Sequence, residues 1–112
     1  MNAIYAAYLT GATGNSFALL VFNNGVLCGA DAGNALYDGE YDVRDNCVTG
    51  KVVINFPSQA SVITGVVAGP KPMSLELPLS LQLPLEQVPF HTIESALGRI
   101  NARFEKLRDI DV

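Results

Sequence analysis

The chain holds one histidine, His91, between Phe90 and Thr92, and no carboxylate lies at a spacing that would orient its ring. A nucleophilic triad needs a base held by a third group, so none can be built here. The expectation for His91 is a strand residue with one solvated edge. Asp38, Glu40 and Asp42 alternate along "YDGEYDV" and share one face. Oxygen ligands on one face could meet a hard cation, but a calcium loop converges its ligands from a tight turn. These acids therefore read as the wet side of a strand, and no metal is expected. "TGKV", Thr49 to Val52, lacks a glycine four residues before Gly50 and has Val52 where a phosphate loop needs Ser or Thr.

Cys28 and Cys47 form no C-x-x-C pair, and Arg44 is the one basic residue near either. Their strands could lie side by side, but two reduced core thiols are the expectation. An enzyme built on paired carboxylates would need two acids facing each other inside a cavity. No enzyme and no cofactor are expected.

Other properties of the chain narrow the function further. Of its 112 residues 49% are hydrophobic and 16% charged, with a mean hydropathy of +0.27. This is more apolar surface than a core of that size strictly needs, which suggests self-association or a cavity. The net charge of −4 argues against a surface that tracks phosphates, so no nucleic acid partner is expected. "MNAIYAAYLTG" has no basic region, apolar core or cleavage site of a secretory signal, and no window approaches the roughly 20 apolar residues of a membrane span. The expectation is a soluble, cytoplasmic protein with no membrane partner.

The elements that must position any site are strands. Ala3 to Thr10 and Phe17 to Phe22 are apolar runs around the turn-forming "GATGNS". Asn24-Gly25 between apolar flanks is the strongest local signal, because a type I′ turn needs positive φ at both central residues. Val26 to Ala30 leads through "DAGNA" to the alternating "YDGEYDV", with Tyr37, Gly39, Tyr41 and Val43 on one face. "RDNC" then turns into "VTGKVVINF", where Val48, Val53 and Phe56 are among the β formers, stopped by Pro57. Val62 to Val67 reads either as a strand or as a bent lead-in to the next one.

In "SLELPLSLQLPLE", Leu75, Leu77, Leu79, Leu81, Leu83 and Leu85 alternate with polar residues or proline. Pro78 and Pro84 are six apart, so they remove ladder donors from one lateral edge alone, the pattern of a sheet edge or a barrel seam. Residues 91–108 carry two periods. Ile93, Leu97, Ile100, Phe104 and Leu107 fit one helix face, but Gly98 in its middle costs about 1 kcal/mol. A hairpin of "HTIES" and "RINARFEKL" uses that glycine at a left-handed position. The hairpin is favoured and the helix stays open.

No helix is long enough to cover a sheet, so the sheet must bury its own inner face. The fold class expected is all-β: one domain over residues 1–112, an antiparallel up-and-down barrel of about eight strands. The alternatives are a β-sandwich or a barrel with a C-terminal helix.

The order "IYAAYL", "FNNGVLCGADAGNALYDGEYDV", an "RDN" turn, "VTGKVVI", a late alternating strand and a terminal "INARFEKL" resembles the GrlR-like family of small lipocalin-like β-barrels. The family is typified by a negative regulator of type III secretion. What this resemblance implies is a homodimer that acts by binding and regulation, without catalysis. In that type an acidic run after the "YxG" strand engages a transcriptional activator. The matching loop here is "YDVRDNCV", whose acids are Asp42 and Asp45 with Arg44 between them, so the strongly acidic run is missing.

Two functions follow as expectations. The first is sequestration of a regulatory protein partner through Asp42, Arg44, Asp45 and Asn46, since exposed loops on a rigid barrel carry recognition. The second is carriage of a small apolar ligand in the barrel. For it, Leu75, Leu77, Leu79, Leu81 and Leu83 form a cavity wall, or else a dimer seam. Tyr5, Phe17, Tyr37, Tyr41 and Phe104 decide the matter, because enough of them pointing inward would plug the cavity.

Overall fold

Strands that must bury one face of their own sheet do so here by curling it. A computed structural model describes residues 1–12, 14–57, 73–95 and 98–110. It contains eight antiparallel strands: β1 (Ala3–Thr10), β2 (Asn15–Asn23), β3 (Val26–Asp31), β4 (Leu36–Arg44), β5 (Cys47–Phe56), β6 (Met73–Gln82), β7 (His91–Ser95) and β8 (Gly98–Asp109). One 3-10 turn, Leu85–Gln87, stands between β6 and β7. The order β6-β5-β4-β3-β2-β1-β8-β7 is an up-and-down ring in which β8 returns to pair with β1. Strands β6 and β7 are its two edges and lie against each other, so the sheet is a nearly closed barrel. The sandwich and the C-terminal helix are not realised. The span from Val62 to Val67 lies outside the described residues.

Turn chemistry sets the register. Asn24 and Gly25 have φ of 51° and 82°, and Asp45 and Asn46 have 51° and 61°, so both two-residue hairpins use the positive-φ conformation that Asn, Asp and Gly accept most readily. The Tyr41 amide donates to the Gly25 carbonyl, tying the first turn to β4. Gly98 opens β8 with φ of 139°. This is a positive angle outside the compact left-handed well expected for it, and a side chain adopts it rarely. Two strands also press backbone on backbone at Gly39 and Gly50. A Cβ on Gly39 would strike the Lys51 carbonyl and one on Gly50 the Glu40 carbonyl, so glycine lets β4 and β5 bend around the barrel.

The leucine strand is the sheet edge. Leu75, Leu77, Leu79 and Leu81 are all buried along β6, while Glu76, Pro78, Ser80 and Gln82 face outward. Each buried leucine contributes about 1.5–3 kcal/mol by leaving water. Pro78 sits within this edge strand, as its missing donor requires. Pro84 does not: β6 ends at Gln82, and Pro84 precedes the Leu85–Gln87 turn. Leu83 is half-buried past the strand end, with its amide donating to the Asn46 carbonyl at 2.8 Å.

Candidate functional site

Alternation sends one set of side chains from every strand into the barrel, and large and small members of that set divide the interior in two. At the end carrying the Asn24-Gly25 and Asp45-Asn46 turns, aromatic rings fill it. Tyr5 meets Phe22 at 5.7 Å between ring centres and Phe104 at 6.1 Å, and Phe22 meets Tyr41 at 5.2 Å, all edge to face. This geometry suits the ring quadrupoles. The Tyr41 hydroxyl donates to the Met1 carbonyl, which brings the start of the chain to this end. Val48 and Leu85 are fully covered here too.

Toward the opposite end the walls become mainly aliphatic and leave space. A cavity of about 100 Å³ lies among Leu20, Leu27, Val52, Ile54, Leu77 and Leu79, with Leu75, Leu81 and Phe104 also in its lining. Its mouth lies near the far ends of β1 to β5, where Ser16, Asp31, Gly33 and Ala35 contribute. Of the five bulky residues in question, Tyr5, Tyr37, Tyr41 and Phe104 are buried inside and Phe17 points outward, where it packs on Tyr8. Tyr5 and Tyr41, with Phe22, plug one half of the barrel, whereas Tyr37 and Phe104 belong to the lining of the space left in the other.

At the mouth is a group that pattern reading missed. The Asp31 carboxylate accepts from the Gly33 and Ala35 amides through Oδ1, at 2.9 and 3.0 Å, and from the Tyr37 hydroxyl through Oδ2, at 3.0 Å. Burial first, then the Asp31 charge and its hydrogen bond, hold the Tyr37 hydroxyl far above the ordinary tyrosine range. The signal that could have found this site was "DAGNA", in which an aspartate followed by Gly and Asn announces a side-chain-capped turn.

The predicted sites fall in separate places. Leu75, Leu77, Leu79 and Leu81 line the cavity; Leu83 does not and packs half-buried against the core. Asp42, Arg44, Asp45 and Asn46 are all exposed at the aromatic end, remote from the cavity mouth, with Arg44 Nε 3.0 Å from Asp42 Oδ2. Val43, expected inward with Tyr41, is exposed at the strand end.

His91 has no solvated edge: it is buried against Phe104, at 5.4 Å, and its Nε2–H donates to the Leu85 carbonyl at 3.2 Å. The ring thus ties β7 to the connection that crosses the seam, an anchoring task that its flanking residues did not announce. The cysteines are free but not both in the core, since Cys28 points outward from β3 and is exposed. Strand β4 lies between the strands that carry Cys28 and Cys47, so they are not neighbours. Asp38, Glu40 and Asp42 face outward from β4.

No family model matches the chain, and its comparison with curated proteins and with solved structures finds no match. Among the described residues, no helix is long and apolar enough to cross a membrane.

Proposed function

We propose that this protein is a non-catalytic binding protein whose barrel takes up a small apolar ligand. The observation that carries this reading is the unfilled, leucine-walled half of the lumen beside a half packed with aromatic rings. A roughly 150 Å³ engineered apolar cavity stays dry and admits benzene; a lumen of about 100 Å³ is smaller, so a single benzene-sized ring is the largest body it takes. The test is calorimetric or NMR titration with benzene, against a variant in which Leu77→Phe fills the space. Saturable binding by the natural chain and its loss in the variant are expected. Absence of saturable binding to the natural chain would remove the ligand reading.

A second reading is a regulator that sequesters a protein partner such as a transcriptional activator, in the manner of the GrlR-like family. Asp42, Arg44, Asp45 and Asn46 support it, because a tight hairpin turn holds them in solvent at one end of the barrel. The same proposal makes the protein a cytoplasmic homodimer. In favour of the dimer, Tyr8 of β1, Phe17 and Leu19 of β2 and Val26 of β3 leave an apolar outer surface on three adjacent strands. Arg99, Arg103, Lys106 and Arg108 outnumber Glu105 and Asp109 among the exposed residues of β8 on one flank, and Asp38, Glu40 and Asp42 flank it on β4. A two-fold axis through β2 would set the basic flank of each copy against the acidic flank of the other. A free, exposed Cys28 suits a reducing compartment.

A further inference from the structure

The lumen is apolar along its walls and polar at one place, the mouth, where its one charge is the Asp31 carboxylate. Asp31 and Tyr37 both line the cavity, and Ser16 is the other polar side chain in the lining beside them. An ionised carboxylate offers about four lone-pair positions and no donor. At Asp31 three of these are taken, by the Gly33 and Ala35 amides and the Tyr37 hydroxyl. The Tyr37 oxygen, having given its one proton to Asp31, faces any further partner as an acceptor. No lysine or arginine stands in the lining among the described residues. The mouth therefore presents one negative charge with a free acceptor position, the three donors bonded to it are committed to that charge, and the Ser16 hydroxyl beside it can donate or accept.

The two amide bonds by themselves would make Asp31 the anchor of a turn. They use only Oδ1. The second oxygen is instead paired with a tyrosine that shares the cavity lining, which places an acceptor pair at the boundary of an apolar space. A ligand carboxylate brought there would meet like charge with no cation to offset it. An ammonium would meet an opposite charge and two acceptors, and hydrogen bonds of that kind are the stronger ones.

We propose that the lumen selects a compact hydrophobic primary amine, its apolar body among Leu75, Leu77 and Leu79 and its ammonium against Asp31 and Tyr37. This rests on the reading of the lumen as a ligand site and adds the class of ligand. The Tyr37 hydroxyl is held neutral by burial and by Asp31, so it keeps the same hydrogen-bonding role throughout the neutral range.

The test compares three probes sharing one ring, benzylamine, toluene and benzoate, titrated into the full chain at neutral pH with the heat of binding as readout. Benzylamine is expected to bind at one site at least about tenfold more tightly than toluene, in keeping with a charge-assisted hydrogen bond, and benzoate not to bind. Asp31→Asn is expected to bring benzylamine down to the toluene level while toluene binding stays within about twofold of the natural chain's. Toluene binding with no preference for benzylamine, or with benzoate preferred, would overturn the amine assignment and leave the ligand site standing. No binding of any probe would overturn both. A variant that retains the amine preference without the Asp31 charge would also overturn it. Should Asp31→Asn fail to fold, the ranking of the three probes on the natural chain decides.

Discussion

The Tyr37 hydroxyl donates to Asp31 Oδ2 across 3.0 Å at the mouth of a cavity walled mainly by aliphatic side chains. Two strands meet in that bond, the last residue of β3 and the second residue of β4. The connection between them is also fastened to the same carboxylate through the Gly33 and Ala35 amides. The bond thus joins the shape of the mouth to its charge.

Alkaline pH should unlock this arrangement. Tyr37 is raised by burial and by Asp31, and Tyr5 is raised by burial first and by the Glu86 carboxylate second, with Lys106 opposing. Each is held protonated in the fold, so its contribution to stability is complete below the unfolded tyrosine value near 10. It is lost as pH rises above that toward the folded-state value, because the unfolded chain then binds fewer protons than the native one. Absorbance of tyrosinate, followed together with circular dichroism, should show Tyr5 and Tyr37 ionising above the ordinary range and together with loss of the β signal. Tyr37→Phe should make the alkaline loss of stability smaller. Ionisation of all four tyrosines in one step near pH 10 with the fold intact would contradict this assignment.

The apolar outer face can be probed at Leu19, which is 44% exposed in the middle strand of the patch. Leu19→Glu should convert a dimer into a monomer in sedimentation velocity while the melting temperature of the barrel changes little, since an exposed residue carries little of the core. High salt should weaken the proposed dimer as well, because the flanking charges are screened. A natural chain that sediments as a monomer at tens of micromolar would dispose of the dimer.

The turn at the aromatic end offers an independent test of the regulator reading. Neutralising Asp42 and Asp45 to Asn should reduce retention of a purified activator-type partner about tenfold or more, as expected when charges at an interface steer and fix recognition. The melting temperature should hold, because the Asp42–Arg44 ion pair is exposed on both sides and such pairs contribute little. Unchanged retention would exclude this turn from the partner site. A fall in melting temperature would assign the two acids to the fold.

Local chemistry determined a large part of this protein. An apolar run marked the strand at Ala3–Thr10, the alternating runs Tyr37–Val43 and Ser74–Glu86 marked β4 and β6, and Asn24-Gly25 specified its hairpin, because these depend on residues within a few positions of one another. The hairpin of β7 and β8 was legible for the same reason: a glycine that weakens a helix serves a reversal. Pro78 marked the edge strand, since a proline removes a ladder donor wherever it stands.

What crosses the barrel was decided by tertiary structure. The same alternation that buries Tyr37 and Tyr41 sends Phe17 outward, because the register of β2 against β1 and β3 fixes which parity is inside. Val43 obeys the parity of its strand but lies past the covered interior, so it stays exposed. Pro84 and Leu83 leave the strand rhythm where the chain turns under the barrel, and His91 is buried because that turn brings the Leu85 carbonyl to its ring. Closing the sheet also set the curvature that leaves leucines around empty space at one end and packs rings at the other. The amino-acid sequence determined which residues could face inward; the closure of eight strands decided how much room they would leave, because a cavity is a property of opposite walls and no local pattern measures the distance between them.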